Sequence, residues 1–166
     1  MNKKIFIFML LNVVILFSSC SFKNVKYLFY DDSMKADARM KQIIEAIKDN
    51  DKEGLKILFS KQALKESNDI DGSITDLFKF IHGDIKSWNQ DSEISDESIE
   101  GDKKTTKIQS WFIVNTDNIK YKFFTVDYPI DMIHPNNQGL YTIRVVKAED
   151  KDDSLQEAGV FTPKNE

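Results

Sequence analysis

The side chains able to do chemistry are few in this 166-residue chain, and their spacing excludes most reactions. Cys20 is the only cysteine, so no disulfide framework can form. His82 and His134 are the only histidines, and no HExxH pattern occurs. Zinc takes several His, Cys, Asp or Glu ligands at compatible spacing, and no such metal site is expected here. His82-Gly83-Asp84 reads as a helix-end turn, where the helix dipole favours an imidazole. His134, before Pro135, reads as a turn residue. Ser67-Asn68-Asp69-Ile70-Asp71-Gly72 sets oxygens at alternate positions before a glycine, as a calcium loop does. An EF-hand loop opens on an acid and closes on a bidentate glutamate, whereas those positions are Ser67 and Phe78. The segment is read as a turn that caps the next helix. There is no GxSxG elbow, and no serine has a histidine and an acid at recognisable spacing. The six glycines never cluster into a phosphate loop, and Arg39 and Arg144 are the only arginines. No cofactor is implied.

One residue has a clear chemical context. Lys3 and Lys4 precede an apolar run from Ile5 to Phe17, interrupted only by Asn12, and Ser18-Ser19 follow. A basic start, an apolar stretch and small residues before a cut site make a secretory signal. At about 13 residues the run falls short of the roughly 20 that a spanning helix needs, so no transmembrane anchor is expected. Leu16-Phe17-Ser18-Ser19-Cys20 resembles a bacterial lipobox, with Phe17 where leucine is usual. The motif implies cleavage before Cys20 and thioether attachment of a diacylglyceryl group to its thiol. Two acyl chains (palmitate or similar) anchor stably where a single chain binds only marginally. The expected partner is therefore the membrane, through a lipid on Cys20. The expected location is the extracytoplasmic face of the bacterial cell membrane.

The net charge of −4 becomes −6 without the first nineteen residues, because two lysines and no acid leave with them. A broad basic face for nucleic acid is excluded, and electrostatic attraction to anionic lipid is disfavoured. The remaining 147 residues are enough to bury a core. Residues 20–33 form a membrane-proximal tether of unusual composition, carrying Phe22, Val25, Tyr27, Leu28, Phe29 and Tyr30. Such a segment either sits at the lipid interface or docks onto the domain.

The elements that would position any site follow from hydrophobic period. Met40, Ile43, Ile44 and Ile47 share one helical face, with Asp31, Asp32 or Ser33 expected to cap the start. A second helix from Asp51 carries Leu55, Leu58 and Phe59, and continues through Ala63 and Leu64 after a break near Ser60. The third starts near Ser73, with Asp76 completing a capping box and Ile74, Leu77, Phe78 and Ile81 on one face. After Gly83 the period changes. Thr106, Ile108, Ser110, Phe112 and Val114 alternate as in a largely buried strand. Ile119 to Tyr128 follows as an aromatic strand, and Leu140 to Val146 as another, with Tyr141, Ile143 and Val145 expected on one face. A strand over Ile85 to Trp88 is weaker, and Gln90 to Lys104 reads as a loop or hairpin. The predicted class is α+β: three N-terminal helices packed on one face of a curved antiparallel sheet.

That order of elements looks like the cone-shaped nuclear transport factor 2-like (cystatin-like) fold. The lipobox, Ala36-Asp37-Ala38-Arg39-Met40, Leu58-Phe59-Ser60 and Gly139-Leu140-Tyr141-Thr142-Ile143 resemble bacterial lipoproteins grouped as domain of unknown function 5104. The resemblance spans about Met34 to Val146 and implies a fold, with no activity or catalytic residues to carry over. Cone-shaped domains of this class often hold a pocket between sheet and helices, and some use a carboxylate there as a general base. That places Asp127, Arg144 and Tyr121 as the candidate pocket residues. A carboxylate among aromatics has a raised pKa. No residue is assigned a catalytic role. The domain plan is a lipoprotein signal peptide over 1–19, the tether over 20–33, the α+β cone over 34–148 and an acidic segment over 149–166. A short edge strand is expected at Gly159-Val160-Phe161-Thr162. The expected function is an extracytoplasmic binding or protein-interaction module for an unknown small molecule or protein, with no nucleic acid. The alternative is a small-molecule lyase or isomerase using the cone pocket.

Overall fold

The computed structural model describes residues 22–149 and 156–159, with side chains over 31–149. The signal segment, Cys20, the acids of 150–155 and residues 160–162 lie outside the described residues. These divide into two units, with the boundary between Ser33 and Met34. Helix α1 spans Phe22–Lys48 and runs through that boundary. The second unit continues with α2 (Lys52–Ile57), α3 (Lys61–Glu66) and α4 (Ile70–Phe80). Five strands follow: β1 (Ile85–Glu100), β2 (Lys103–Thr116), β3 (Lys120–Asp131), β4 (Gly139–Lys147) and β5 (Gln156–Gly159). They form one sheet in sequence order, every neighbouring pair antiparallel. The class is α+β, helices first. Among the described residues no helix is long and apolar enough to cross a membrane.

The helices depart from the expected pattern in three places. Neither proline nor glycine occurs between Ser21 and Lys48, so α1 runs without a break through the expected cap at Asp31–Ser33. The expected second helix is two helices, giving four among the described residues, because Ser60 is extended (φ −63°, ψ 152°) and caps α3 from outside. Helix α4 starts at Ile70, capped by Asp69, whose carboxylate accepts from Gly72 N at 2.8 Å. Ser73 is already inside that helix, donating to Asp69 O at 2.7 Å, and no Ser73–Asp76 box forms.

At the sheet's first edge the structure takes the hairpin of the two expected alternatives and extends the strand begun at Ile85 into it. The polar run Gln90–Lys104 is ladder: Glu93 pairs with Ser110 and Ser98 with Thr105, and Gly101-Asp102 makes the turn. Its alternation is faint in sequence because an edge strand exposes much of both faces. In β5, Thr142 pairs with Gly159 and Val145 with Gln156, so the last strand begins earlier than Gly159.

The core lies between the helices and one face of the sheet. Met40, Ile43, Leu55, Ile74 and Leu77 meet Ile108, Phe112, Val114, Phe123, Ile143 and Val145, all at most 1% exposed. Ile47, Leu58 and Phe78 pack against this cluster and are partly buried. One face assignment changes. A bulge in β4, opposite Val126 and Asp127, shifts the register so that Leu140 joins the core, while Tyr141 leaves the face of Ile143 and Val145.

Candidate functional site

Sequence-distant segments are pinned together where α2 passes into α3. Leu140 N donates to Leu58 O at 2.9 Å and Ser60 N donates to Leu140 O at 2.8 Å, a parallel bridge centred on Phe59 and Leu140. The close approach requires glycine next door. Gly139 has φ +123°, and a Cβ there would stand 3.0 Å from Leu58 O. Ser60 then caps α3 through Ala63 N at 3.0 Å, fixing the helix beside the start of β4.

The last residue of α3 is brought against the sheet. Tyr141 donates its hydroxyl proton to Glu66 Oε2 at 2.5 Å, and the Gln62 amide donates to Glu66 Oε1. The Tyr141 ring meets Tyr128 edge to face, with centroids 5.9 Å apart. Opposite stands a short 3-10 turn, Pro135–Asn137, held by a single carboxylate. Asp131 is 2% exposed and accepts from Thr105 Oγ1 (3.2 Å), Ile133 N (3.1 Å), His134 N (2.6 Å) and Asn137 Nδ2 (3.0 Å). Between α3, the two tyrosines and this turn lies an open cleft of about 470 Å³, completed by His134, Pro135 and Asn136.

The electrostatics of the cleft are consistent. The hydrogen bond from Tyr141, with that from Gln62, holds the Glu66 carboxyl below the ordinary glutamate range. Burial, then Glu66, pushes the Tyr141 phenol well up. Burial, then the charges of Asp131 and Asp96, pushes Tyr128 up. Burial alone would raise Asp131, but its hydrogen bonds, the one from His134 N first, outweigh that and hold it below the aspartate range. At neutral pH the cleft therefore presents an ionised carboxylate, two neutral phenols and several amides. Neither lysine nor arginine lines it.

Leu58-Phe59-Ser60 and Gly139-Leu140-Tyr141, singled out in the sequence as family-like, are the two sides of the bridge that builds this site. A family model described as domain of unknown function (DUF5104) matches residues 42–148. The chain belongs to that family. The DUF5104 match includes every residue lining the cleft, from Gln62 to Tyr141. No curated protein matches the chain.

Within the DUF5104 domain the three residues proposed from sequence occupy separate places. Tyr121 is fully buried, its hydroxyl donating to Phe80 O at 3.2 Å and accepting from His82 N at 2.9 Å. It closes the end of α4. Asp127 faces the helices, and Arg39 Nε donates to its Oδ1 at 3.0 Å, the two side chains 20% and 6% exposed. Burial raises the Asp127 carboxyl and Arg39 partly offsets it. Arg144 is on the opposite sheet face, paired across the strands with Phe124, over whose ring its guanidinium carbon lies 5.9 Å from the centroid. There Arg144 borders a shallow hollow with Trp111, Lys122 and Val146. Residues not foreseen from sequence are Glu66, Gln62, Tyr128, Tyr141 and Asn137, of which only Tyr141 lay within a family-like motif. Among the described residues no group of three or more His, Cys, Asp or Glu is arranged to hold a metal ion. The cleft sets hydrogen-bond donors, acceptors and ring surfaces around a volume of small-molecule size.

Proposed function

We propose that this DUF5104 protein is a lipid-anchored extracytoplasmic lipoprotein whose domain, of the cone-shaped nuclear transport factor 2-like kind, acts as a binding module. The anchor reading is supported by the basic start, the short apolar run and the single cysteine directly after it. The cone reading is supported by helices that pack on one face of a five-stranded antiparallel sheet. The observation that carries the binding reading is the cleft itself, where Glu66, Gln62, Tyr128, Tyr141 and Asn137 converge on one open space. A lyase or isomerase reading rests on the raised pKa of Asp127, the property a general base needs. Its carboxylate is engaged by Arg39, which weakens it as a base and leaves binding as the better reading.

Two measurements test the proposal. Metabolic labelling with a fatty acid should mark the wild-type chain and place it in the membrane fraction, while Cys20→Ala should abolish both. Label retained by the variant would sink the lipoprotein reading. Screening the purified protein against small-molecule probes by NMR should perturb resonances around Tyr128 and Tyr141. Ligand-induced shifts confined to Asp127 and its neighbours, or turnover lost in Asp127→Asn, would favour the enzyme reading instead.

A further inference from the structure

The lining of the cleft has one sign of charge. Glu66 is its only carboxylate and is ionised, and it faces phenols, amides and the His134 imidazole, with no lysine or arginine among the lining residues. A second ionised carboxylate, Asp131, sits buried behind the Ile133–Asn137 turn that forms one wall. Lys61 and Lys65 are on α3 but exposed and outside the lining. An anionic ligand would meet negative charge from Glu66, only partly offset by Lys65, and from Asp131 behind the turn, so phosphates, sulfates and carboxylates are disfavoured as occupants.

The walls add a positive reason. Glu66 is exposed, but each of its oxygens accepts one hydrogen bond, from Tyr141 and from Gln62, which orients the carboxylate while leaving further acceptor capacity on both. Beside it stand the Tyr128 and Tyr141 rings, both half-buried, at right-angled orientation (73° between planes). The rings touch each other edge to face, so an ammonium would lie against their exposed parts beside the carboxylate, held by ring quadrupoles and one counter-charge. Burial, the first cause of both raised phenol pKa values, penalises any charge, and only the smaller contributions from Glu66, Asp131 and Asp96 favour a cation. The volume of about 470 Å³ suits a molecule of small-metabolite size.

We propose that this cleft binds a small organic ammonium compound free in solution, with Glu66 as counter-ion and the Tyr128 and Tyr141 rings as cation–π walls. The inference rests on the binding-module reading and names its ligand class. Hydroxyl-rich neutral molecules are the natural competitors, because the amides of Gln62, Asn136 and Asn137 can also serve them. What distinguishes the two is dependence on the charge of Glu66 and on the rings, as opposed to the tyrosine hydroxyls.

The experiment is a titration of the isotope-labelled full-length protein, in non-ionic detergent at constant ionic strength, with choline chloride, glucose and sodium acetate. Choline should shift the amide resonances of Tyr128, Tyr141 and Asn137 saturably, glucose and acetate not. Glu66→Gln, which keeps an acceptor for Tyr141, should weaken choline at least about tenfold. Tyr128→Leu should weaken it several-fold, while Tyr128→Phe should leave it within about twofold, since the ring and not the hydroxyl does the binding. Undiminished choline affinity in Glu66→Gln would overturn the proposal. Saturable glucose binding at the same amides without choline binding would overturn the ammonium class and leave the binding-module reading standing. A cleft that none of the probes perturbs would count against both.

Discussion

Removing the Asp131 carboxylate takes the acceptor from Thr105, Ile133, His134 and Asn137 together. Two of those donors are backbone N–H groups of the turn that walls the cleft, so Asp131→Ala should cost about 2–3 kcal/mol and loosen that wall. The sign of its pH dependence follows from the lowered pKa. A carboxyl depressed in the folded state stabilises fully above its unfolded value of about 3.9 and loses that contribution as pH falls through the folded value. Urea denaturation should therefore show the gap between wild type and Asp131→Ala in full at pH 5–7 and shrinking below about pH 4. A gap independent of pH would show that the charge is not what matters. Asp127 behaves oppositely. Its pKa is raised by burial, and deleting Arg39 leaves the carboxylate buried without its counter-charge, so Arg39→Ala should cost about 3–5 kcal/mol at neutral pH. That loss should diminish on acidification, as Asp127 takes up a proton. Equal losses at pH 7 and pH 4 would show that Arg39 acts through packing.

At the scale of elements, the bridge from α2–α3 to β4 decides where the site forms. Helix α3 has a single turn and a half of its own, too short to hold its place by local hydrogen bonds. It is positioned by the Leu58, Ser60 and Leu140 backbone groups. A side chain at Gly139 conflicts with both the positive φ and the approach of Leu58 O, so Gly139→Ala should cost about 1–3 kcal/mol. Hydrogen exchange should accelerate at the Ser60 and Leu140 amides in that variant more than in the β2–β3 ladder. Uniform acceleration would mean global destabilisation and no specific role for the bridge. The same bridge explains why one break near Ser60 was legible and its consequence was not. A serine between two apolar stretches signals a cap, but only the partner strand shows that Ser60 N is already spoken for. Strand β1 was legible only at its start, Ile85 to Trp88, for a different reason: at an exposed edge, backbone pairing holds the ladder while the side chains keep little of the alternation that marks a half-buried strand.

At the scale of the whole molecule, the buried apolar core of the described residues runs from Ala36 and is closed within the second unit by residues such as Leu55, Ile74, Phe112, Phe123 and Ile143. A chain starting at Met34 should therefore unfold in one cooperative transition, without metal or reductant. Calorimetry checks this, and a broad, non-cooperative melt would show that the first unit is needed for folding. Within that chain Phe112→Ala should cost about 3–5 kcal/mol, because its ring is 1% exposed and packs edge to face on Trp88.

The sequence by itself determined the class, the helical faces and most of the core, because hydrophobic period is a local property that burial on one side imposes on every element. Ile43, Phe112, Phe123 and Ile143 were readable as core for that reason. It also carried the family, through short segments whose spacing along the chain survives any folding. The candidate site was decided by tertiary structure alone. Glu66 and Tyr141 are 75 residues apart and neither breaks its element's pattern, so no local signal pairs them. A one-residue bulge in β4, opposite Val126–Asp127, turns Tyr141 from the core face toward α3, a change of register that period-2 reading cannot see, while Asp127 keeps the alternation of Tyr121, Phe123 and Thr125 and meets Arg39.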